Sequence, residues 1–270
     1  IFYLNKKENT FTRYINDPEN PNSLSSNNAY NVFRDRENRL WFATSNGLNY
    51  LDEKTNAFKN YEPHPNSANP IKENAIFDIK EDNNGDLWVL TFYGIEKFDP
   101  STGVFYNICQ HATNIPECIN SFRHFEICPD NSIWISSTCG LYEYDPHKNI
   151  FYDYKNIEGK NHTISKNSIT RIYCDSRLNL WIGAFNGGVN VSNLSYQGFA
   201  HLHKDLNNYR LVANDIYALT KDSDNNLWIG GEKYLTQYNL TEDNFNYYKI
   251  PSNTGQLAHV NSLYDNGSDL

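Results

Sequence analysis

Apolar residues in this chain fall into short runs that repeat one spacing. A run begins near an asparagine (Asn27, Asn74, Asn120, Asn167, Asn214). Two residues on comes an apolar side chain (Ala29, Ile76, Phe122, Ile169, Ile216), and three further on another (Val32, Ile79, Phe125, Ile172, Leu219). A polar stretch follows, as in Asp82-Asn83-Asn84-Gly85, of the composition that supplies hairpin-turn backbone conformations. The second run holds a tryptophan and closes at Gly47, Gly94, Gly140 or Gly187, with Tyr234 in the fifth copy. The third run covers 48–51, 95–98, 141–144, 189–191 and 235–238. After another turn, clearest in Asp99-Pro100-Ser101-Thr102-Gly103, a fourth run carries Phe58, Phe105, Phe151, Phe199 or Phe245.

The second run sets the period. The chain's five tryptophans, Trp41, Trp88, Trp134, Trp181 and Trp228, all occur in it, 47, 46, 47 and 47 residues apart. A fixed period of this size marks a repeat architecture. Four short strands joined by tight turns make an antiparallel meander. One meander cannot bury both its faces, but copies stacked radially can. The pattern therefore predicts an all-β fold, a β-propeller of four-stranded antiparallel blades, with each indole wedged between neighbouring sheets as blade core. A linear solenoid is the competing architecture. The blades are expected at 24–67, 68–113, 114–160, 161–207 and 208–254. Residues 1–23 read as the second half of a preceding blade. At 255–270 a further blade opens, with Asn261-Ser262-Leu263 in register with Asn214-Asp215-Ile216.

Composition sharpens this reading. Aromatics make up 15% of the residues and Met is absent, which favours strands over helices. The formal charge of −9 argues against phosphate-backbone binding, which needs Lys/Arg clusters. No stretch of 18 apolar residues is present to span a membrane. The chain starts at Ile1, partway through a repeat, so we read it as an excerpt of a longer protein. Of five cysteines (Cys109, Cys118, Cys128, Cys139, Cys174) at least one is left unpaired, and none has Cys-x-x-Cys spacing. Cys109 and Cys118 bracket a loop and are a candidate disulfide in an oxidising compartment; otherwise the cysteines are small buried hydrophobes.

Topology sorts the loops. First-to-second and third-to-fourth turns share one end of a meander, and these are the stereotyped Asp/Asn/Gly turns. Second-to-third turns and the connections between units share the other end, and they are long or variable. Binding usually sits on variable loops of a rigid scaffold. The candidate ligand-binding residues there are Tyr93, Phe185 and Asn186 in turns, with Arg123 and Arg171 near the starts of first strands. Ordinary surface or packing roles compete for each. Catalytic motifs are thin, and no catalytic residue, metal site or cofactor is assigned. His201 and His203 offer two imidazoles on one strand face, but a metal needs a third ligand. Asp222-Ser223-Asp224-Asn225-Asn226 begins like a calcium loop, lacks its later Gly and Glu, and fits a repeat turn better.

The repeat resembles the two-component regulator propeller repeat. The residues that carry the likeness are Leu40-Trp41-Phe42-Ala43-Thr44 with Gly47-Leu48, and Leu87-Trp88-Val89-Leu90-Thr91 with Gly94-Ile95 and Asp99-Pro100. Further copies are Leu180-Trp181-Ile182-Gly183, Leu227-Trp228-Ile229-Gly230, Gly140-Leu141 and Asp145-Pro146. In the fourth and fifth copies Asp-Pro is replaced by Ser192-Asn193 and Asn239-Leu240. The resemblance implies the periplasmic sensor region of a hybrid two-component histidine kinase of Bacteroidetes type. Such regions are followed by an immunoglobulin-like domain, a membrane helix and the kinase. It implies an oligosaccharide ligand controlling glycan-utilisation genes, a homodimeric parent, and membrane attachment only through later parts of the chain. Its defining residues are scaffold residues, so no ligand contact is carried over. Two alternatives stand beside it. One is a streptogramin-lyase-like enzyme using His64, His111 or His162 with a metal. The other is a protein-docking scaffold. Fold alone does not choose among them.

Overall fold

The computed structural model describes residues 1–5, 10–63, 74–158, 160, 163–195, 200–202, 211–213, 215–250, 260 and 263. The chain divides into two compact units, Ile1–Ala112 and Thr113–Leu270.

The first unit holds a two-stranded sheet of β1 (Phe2–Asn5) and β2 (Thr10–Arg13), then two four-stranded meanders. One is β3 (Ala29–Arg34), β4 (Leu40–Thr44), β5 (Gly47–Asp52) and β6 (Ala57–Tyr61). The other is β7 (Ile76–Glu81), β8 (Leu87–Thr91), β9 (Gly94–Asp99) and β10 (Val104–Asn107). The second unit holds three more. These are β11 (Phe122–Ile127), β12 (Ile133–Ser137), β13 (Leu141–Asp145) and β14 (Ile150–Tyr154); β15 (Ile169–Cys174), β16 (Asn179–Ala184), β17 (Gly188–Asn193) and β18 (Ala200–Leu202); and β19 (Ile216–Lys221), β20 (Asn226–Gly231), β21 (Tyr234–Asn239) and β22 (Asn244–Lys249). In every meander the strands pair antiparallel in chain order. Phe199 and the opening residues Asn261 and Ser262 lie outside the described residues, as do 265–270. Among the described residues no helix is long and apolar enough to cross a membrane.

The indoles pack as wedges. Trp41 is buried against Ile76, Ile79, Leu87 and Phe98 of the next sheet. Trp134 packs with Ile164, Ile169, Ile172 and Leu180, and Trp181 with Leu211, Ile216, Leu227 and Ile229. Trp88 is also buried, and Trp228, in the last described sheet, is half-buried. A buried indole N–H needs an acceptor. In four sheets an aspartate six residues earlier provides it: Trp41 Nε1 donates to Asp35 Oδ2 at 2.8 Å, Trp88 to Asp82 at 3.0 Å, Trp181 to Asp175 at 3.4 Å and Trp228 to Asp222 at 2.6 Å. The other oxygen of each carboxylate accepts a backbone N–H of its own turn: Arg39, Asp86, Asn179 and Asn226. One carboxylate thus closes the turn and anchors the wedge.

The third sheet departs from this rule. Cys128 occupies the aspartate position, and Trp134 Nε1 donates instead to Ser132 Oγ at 3.0 Å, which in turn donates to Asp130. Cys128 forms a disulfide with Cys174 of the next first strand, Cα–Cα 5.4 Å. A second disulfide joins Cys118 to Cys139, Cα–Cα 6.5 Å. Both separations lie in the ordinary range for a bridge. The candidate pair Cys109–Cys118 is therefore not formed. Cys109 is the free, buried cysteine, and burial pushes its thiol pKa up to about 12. Nearness in sequence misled here: Cys118 faces the β12–β13 turn, while Cys109 turns inward from a short 3-10 turn after β10.

The turns before the tryptophan strands share one backbone feature. Asn38, Gly85, Asn131, Leu178 and Asn225, each three residues ahead of the indole, have φ of 64°, 86°, 70°, 62° and 68°. Asn and Gly tolerate that left-handed region, which is the physical reason for their recurrence. In the fourth sheet the β16–β17 turn is one residue longer, because Ala184 pairs with Gly188 rather than at the three-residue offset of Thr44 with Gly47. The glycine that opens the third strand is therefore Gly188, not Gly187. The residues equivalent to Asp99-Pro100 are Asn193-Leu194, not Ser192-Asn193. Asn193 keeps the aspartate's task, its Oδ1 accepting from Ser195 N as Asp99 Oδ1 accepts from Ser101 N.

Candidate functional site

The variable end of the sheets is built on a hydrogen-bonded frame. Third strands carry buried polar side chains that hold the connections in place: Asn49 Oδ1 accepts from Ser25 N at 2.8 Å, and Asn190 Oδ1 from Ser165 N at 2.7 Å. In the second sheet Glu96 takes that position and accepts from Thr91 Oγ1 and Asn107 Nδ2. Two connections share a further device. Asn16 N donates to Asn27 Oδ1 while Asn16 Nδ2 donates to Leu24 O; Asn156 does the same with Asn167 and Ile164. The connection at 154–167 is thus less individual than its sequence suggests. Asn-x10-Asn was the legible signal. Loops held this way keep their side chains ready for contact at little ordering cost on binding.

The five candidate contact residues divide between the units: Tyr93 belongs to the first, and the other four to the second. Tyr93 is 37% exposed in the β8–β9 turn, with its N–H on Thr91 Oγ1. Its neighbour Phe92 packs edge-on against Phe77, ring centroids 4.9 Å apart, and Phe77 meets Tyr30 at 5.2 Å. Phe185 is 44% exposed in the β16–β17 turn, its N–H bonded to Ser168 O. Asn186, at φ 53°, donates its N–H to Asp215 Oδ1 at 2.7 Å, which ties this turn to the following connection. Arg123 is exposed. Arg171 is half-buried, with its guanidinium donating to Thr170 O, and it stands one strand position later than Arg123. The two arginines are therefore not equivalents. Tyr217, on the following first strand β19, has its pKa raised by burial and then by the carboxylates of Asp215 and Glu232.

Other candidates resolve differently. Asp222 Oδ1 accepts from Asp224 N and Asn226 N, and Asp222 Oδ2 from the indole of Trp228, so the calcium-like stretch is a turn whose carboxylate is fully engaged. His111 is exposed in the connection after β10, while His64, His162 and His203 lie outside the described residues. Among the described residues no cluster of three His, Cys, Asp or Glu is arranged to hold a metal. A cleft of 380 Å³ between the 13–23 connection and Asn56 and Phe58 is rich in amides. Its polar groups are engaged with one another, as where Tyr14 Oη donates to Asn56 Oδ1.

Residues 23–46, 70–93 and 210–233 match the model of the two component regulator propeller. These three stretches are similar to two-component regulator propeller repeats. Each matched stretch runs through a first strand, its turn and the tryptophan strand into the second-to-third turn. No curated protein sequence matches the chain. Among solved structures it is similar to the extracellular domain of a putative hybrid two component system from B. thetaiotaomicron, at 19% identity and TM-score 0.66, covering 93% of this chain and 40% of that one. It is also similar to virginiamycin B lyase from Staphylococcus aureus, at 13% identity and TM-score 0.62, covering 84% of this chain and 71% of the lyase. PorZ, a surface component of the type-IX secretion system of Porphyromonas gingivalis, aligns at 15% identity and TM-score 0.62, over 89% of this chain and 38% of PorZ. Such likenesses establish the fold, which is a β-propeller. The chain spans about two fifths of the length of the B. thetaiotaomicron domain.

Proposed function

We propose that this chain is the ligand-sensing propeller of a two-component sensor histidine kinase, facing the periplasm, and that its ligand is an oligosaccharide. The observation that carries this reading is the chemistry of the variable end. In the second unit an exposed ring and an amide (Phe185, Asn186) share a turn whose backbone is bonded to neighbouring segments, and in the first an exposed ring (Tyr93) stands on a turn closed by its own Thr91. Flat aromatic faces with nearby amides suit a sugar, which presents an apolar face and a rim of hydroxyls. The repeat family supports the sensor context. Two disulfides support an oxidising compartment. The segment binds and does not catalyse. Its output is a ligand-dependent shift between two arrangements of a homodimeric parent, of a size set by its differential affinity for them. The reading needs no cofactor and no nucleic acid. Isothermal titration of the chain against defined oligosaccharides and against divalent metals tests it. Saturable heat with a saccharide and none with metal is expected. Heat with metal alone, or turnover of a saccharide, would favour a lyase-like enzyme instead.

A further inference from the structure

The first strand of each four-stranded sheet carries a β-bulge at the same place. Pairing with the second strand skips one residue between Ala29 and Asn31, Ile76 and Asp78, Phe122 and His124, Ile169 and Arg171, and Ile216 and Ala218. The skipped residues are Tyr30, Phe77, Arg123, Thr170 and Tyr217. A bulge leaves its extra residue out of the ladder and re-aims the side chain, and bulges gather beside functional sites. Here the backbone irregularity is constant while the side chain changes from phenol to phenyl, guanidinium and hydroxyl. That contrasts with the indole, whose chemistry recurs with the scaffold.

Thr170 shows what the position does when it only joins sheets: its hydroxyl bonds Ile216 O of the neighbouring first strand. In the first unit the position does something else. Tyr30 is 51% exposed, and its ring meets Phe77, which is braced from behind by Phe92. The two strands that carry these rings are fixed to each other by a hydrogen bond from Asn31 Nδ2 to Asp78 Oδ1. Asp78 is buried. The result is a pair of adjacent rings on rigid strands, with Tyr93 exposed in the turn that holds Phe92.

We infer that Tyr30 and Phe77 form a stacking subsite for the apolar face of a neutral pyranose ring. This rests on the oligosaccharide reading above. The chemistry favours a neutral ring because the two side chains that form the pair are aromatic and uncharged.

The test uses the intact 270-residue chain and a panel of maltohexaose, cellohexaose, mannohexaose, xylohexaose and a hexagalacturonate, by calorimetry. For the neutral hexasaccharide that binds, Tyr30→Ala should weaken affinity about tenfold, the equivalent of losing one stacked ring, while Tyr30→Phe stays within about twofold. Tyr106→Ala removes an equally exposed ring on β10 and should leave affinity unchanged. Bound saccharide should also protect Tyr30 from nitration by tetranitromethane, a readout that loss of structure would not produce. If no saccharide binds, the sensing reading and the subsite fall together. If one binds but Tyr30→Ala matches the parent and Tyr30 nitrates equally with and without it, the subsite alone is overturned. Binding confined to the hexagalacturonate overturns the neutral-ring assignment.

Discussion

Replacing Cys128 and Cys174 together by serine removes the covalent tie between the third and fourth four-stranded sheets. The bridge spans a sequence separation of 46. On the chain-entropy account, closing a loop of that length stabilises by about 4 kcal/mol. The site gives a reason to expect most of that figure, because Cys128 stands where the other sheets have the aspartate that anchors both turn and indole. The double variant therefore loses the bridge and has no carboxylate to replace it. Followed by tryptophan fluorescence in guanidinium chloride, with an m-value on the order of 4 kcal/mol/M, the transition of the second unit should move down by roughly 1 M. Reducing the parent should reproduce the shift, enlarged by loss of Cys118–Cys139. A further variant, Cys128→Asp with Cys174→Ser, supplies the turn-closing carboxylate that the other four sheets have and should recover about 1–3 kcal/mol. The denatured, unreduced parent should titrate a single thiol, since four of five cysteines are paired and Cys109 is free. Five titratable thiols, or a double variant that unfolds with the parent, would refute the reasoning.

The remaining expectations are smaller. Burial raises the pKa of Asp175 and Asp222, but hydrogen bonds from Asn179 and Asn226, their turn N–H groups and the indoles outweigh it, and both are lowered from 3.8. A folded-state pKa below the unfolded one gives stability that is present above the unfolded pKa and lost as pH falls through the folded value. Urea midpoints of the second unit should thus drop below about pH 4, and Asp175→Asn with Asp222→Asn should flatten that dependence; an unchanged slope would count against it. Trp41→Ala should cost about 3–5 kcal/mol by leaving a cavity against Ile76, Ile79 and Phe98, read from the first unit's denaturation midpoint. Asn131→Ala should cost about 1–2 kcal/mol at its φ of 70°. Asn131→Gly should be nearly neutral, and equal effects of the two would contradict a backbone origin.

What was legible in the sequence was whatever a repeat states locally. The indole period, the four-strand unit and the Asp/Asn/Gly turns follow from alternation and turn chemistry, and the structure forms four-stranded antiparallel meanders. The aspartate six residues before four of the five indoles was also written there, but its task emerges only when strand register brings turn and wedge together. The single inserted residue at the fourth sheet's turn shifted Gly188 and Asn193 out of simple alignment, because spacing from the tryptophan hides where a loop absorbs an extra residue. The disulfide was missed for a related reason. Cys128 and Cys174 are one repeat apart, and only sheet stacking makes such residues neighbours. Of the candidate contacts, Tyr93 and Phe185 stand exposed in turns, and Arg171 bonds backbone. The bulge that singles out Tyr30 and Phe77 has no sequence signature, since it is defined by pairing with another strand.

The cysteine at position 128 also bears on how such an array can evolve. A repeat that contains its own indole acceptor is self-sufficient, so duplicating or deleting it leaves its neighbours chemically complete. The third unit keeps an indole acceptor of its own in Ser132, yet gives up that independence through Cys128, whose sulfur takes its partner from the fourth. Recombination that separates the two would strand an unpaired sulfur on each side of the break, so this pair is expected to be inherited as one module while the others remain free to multiply.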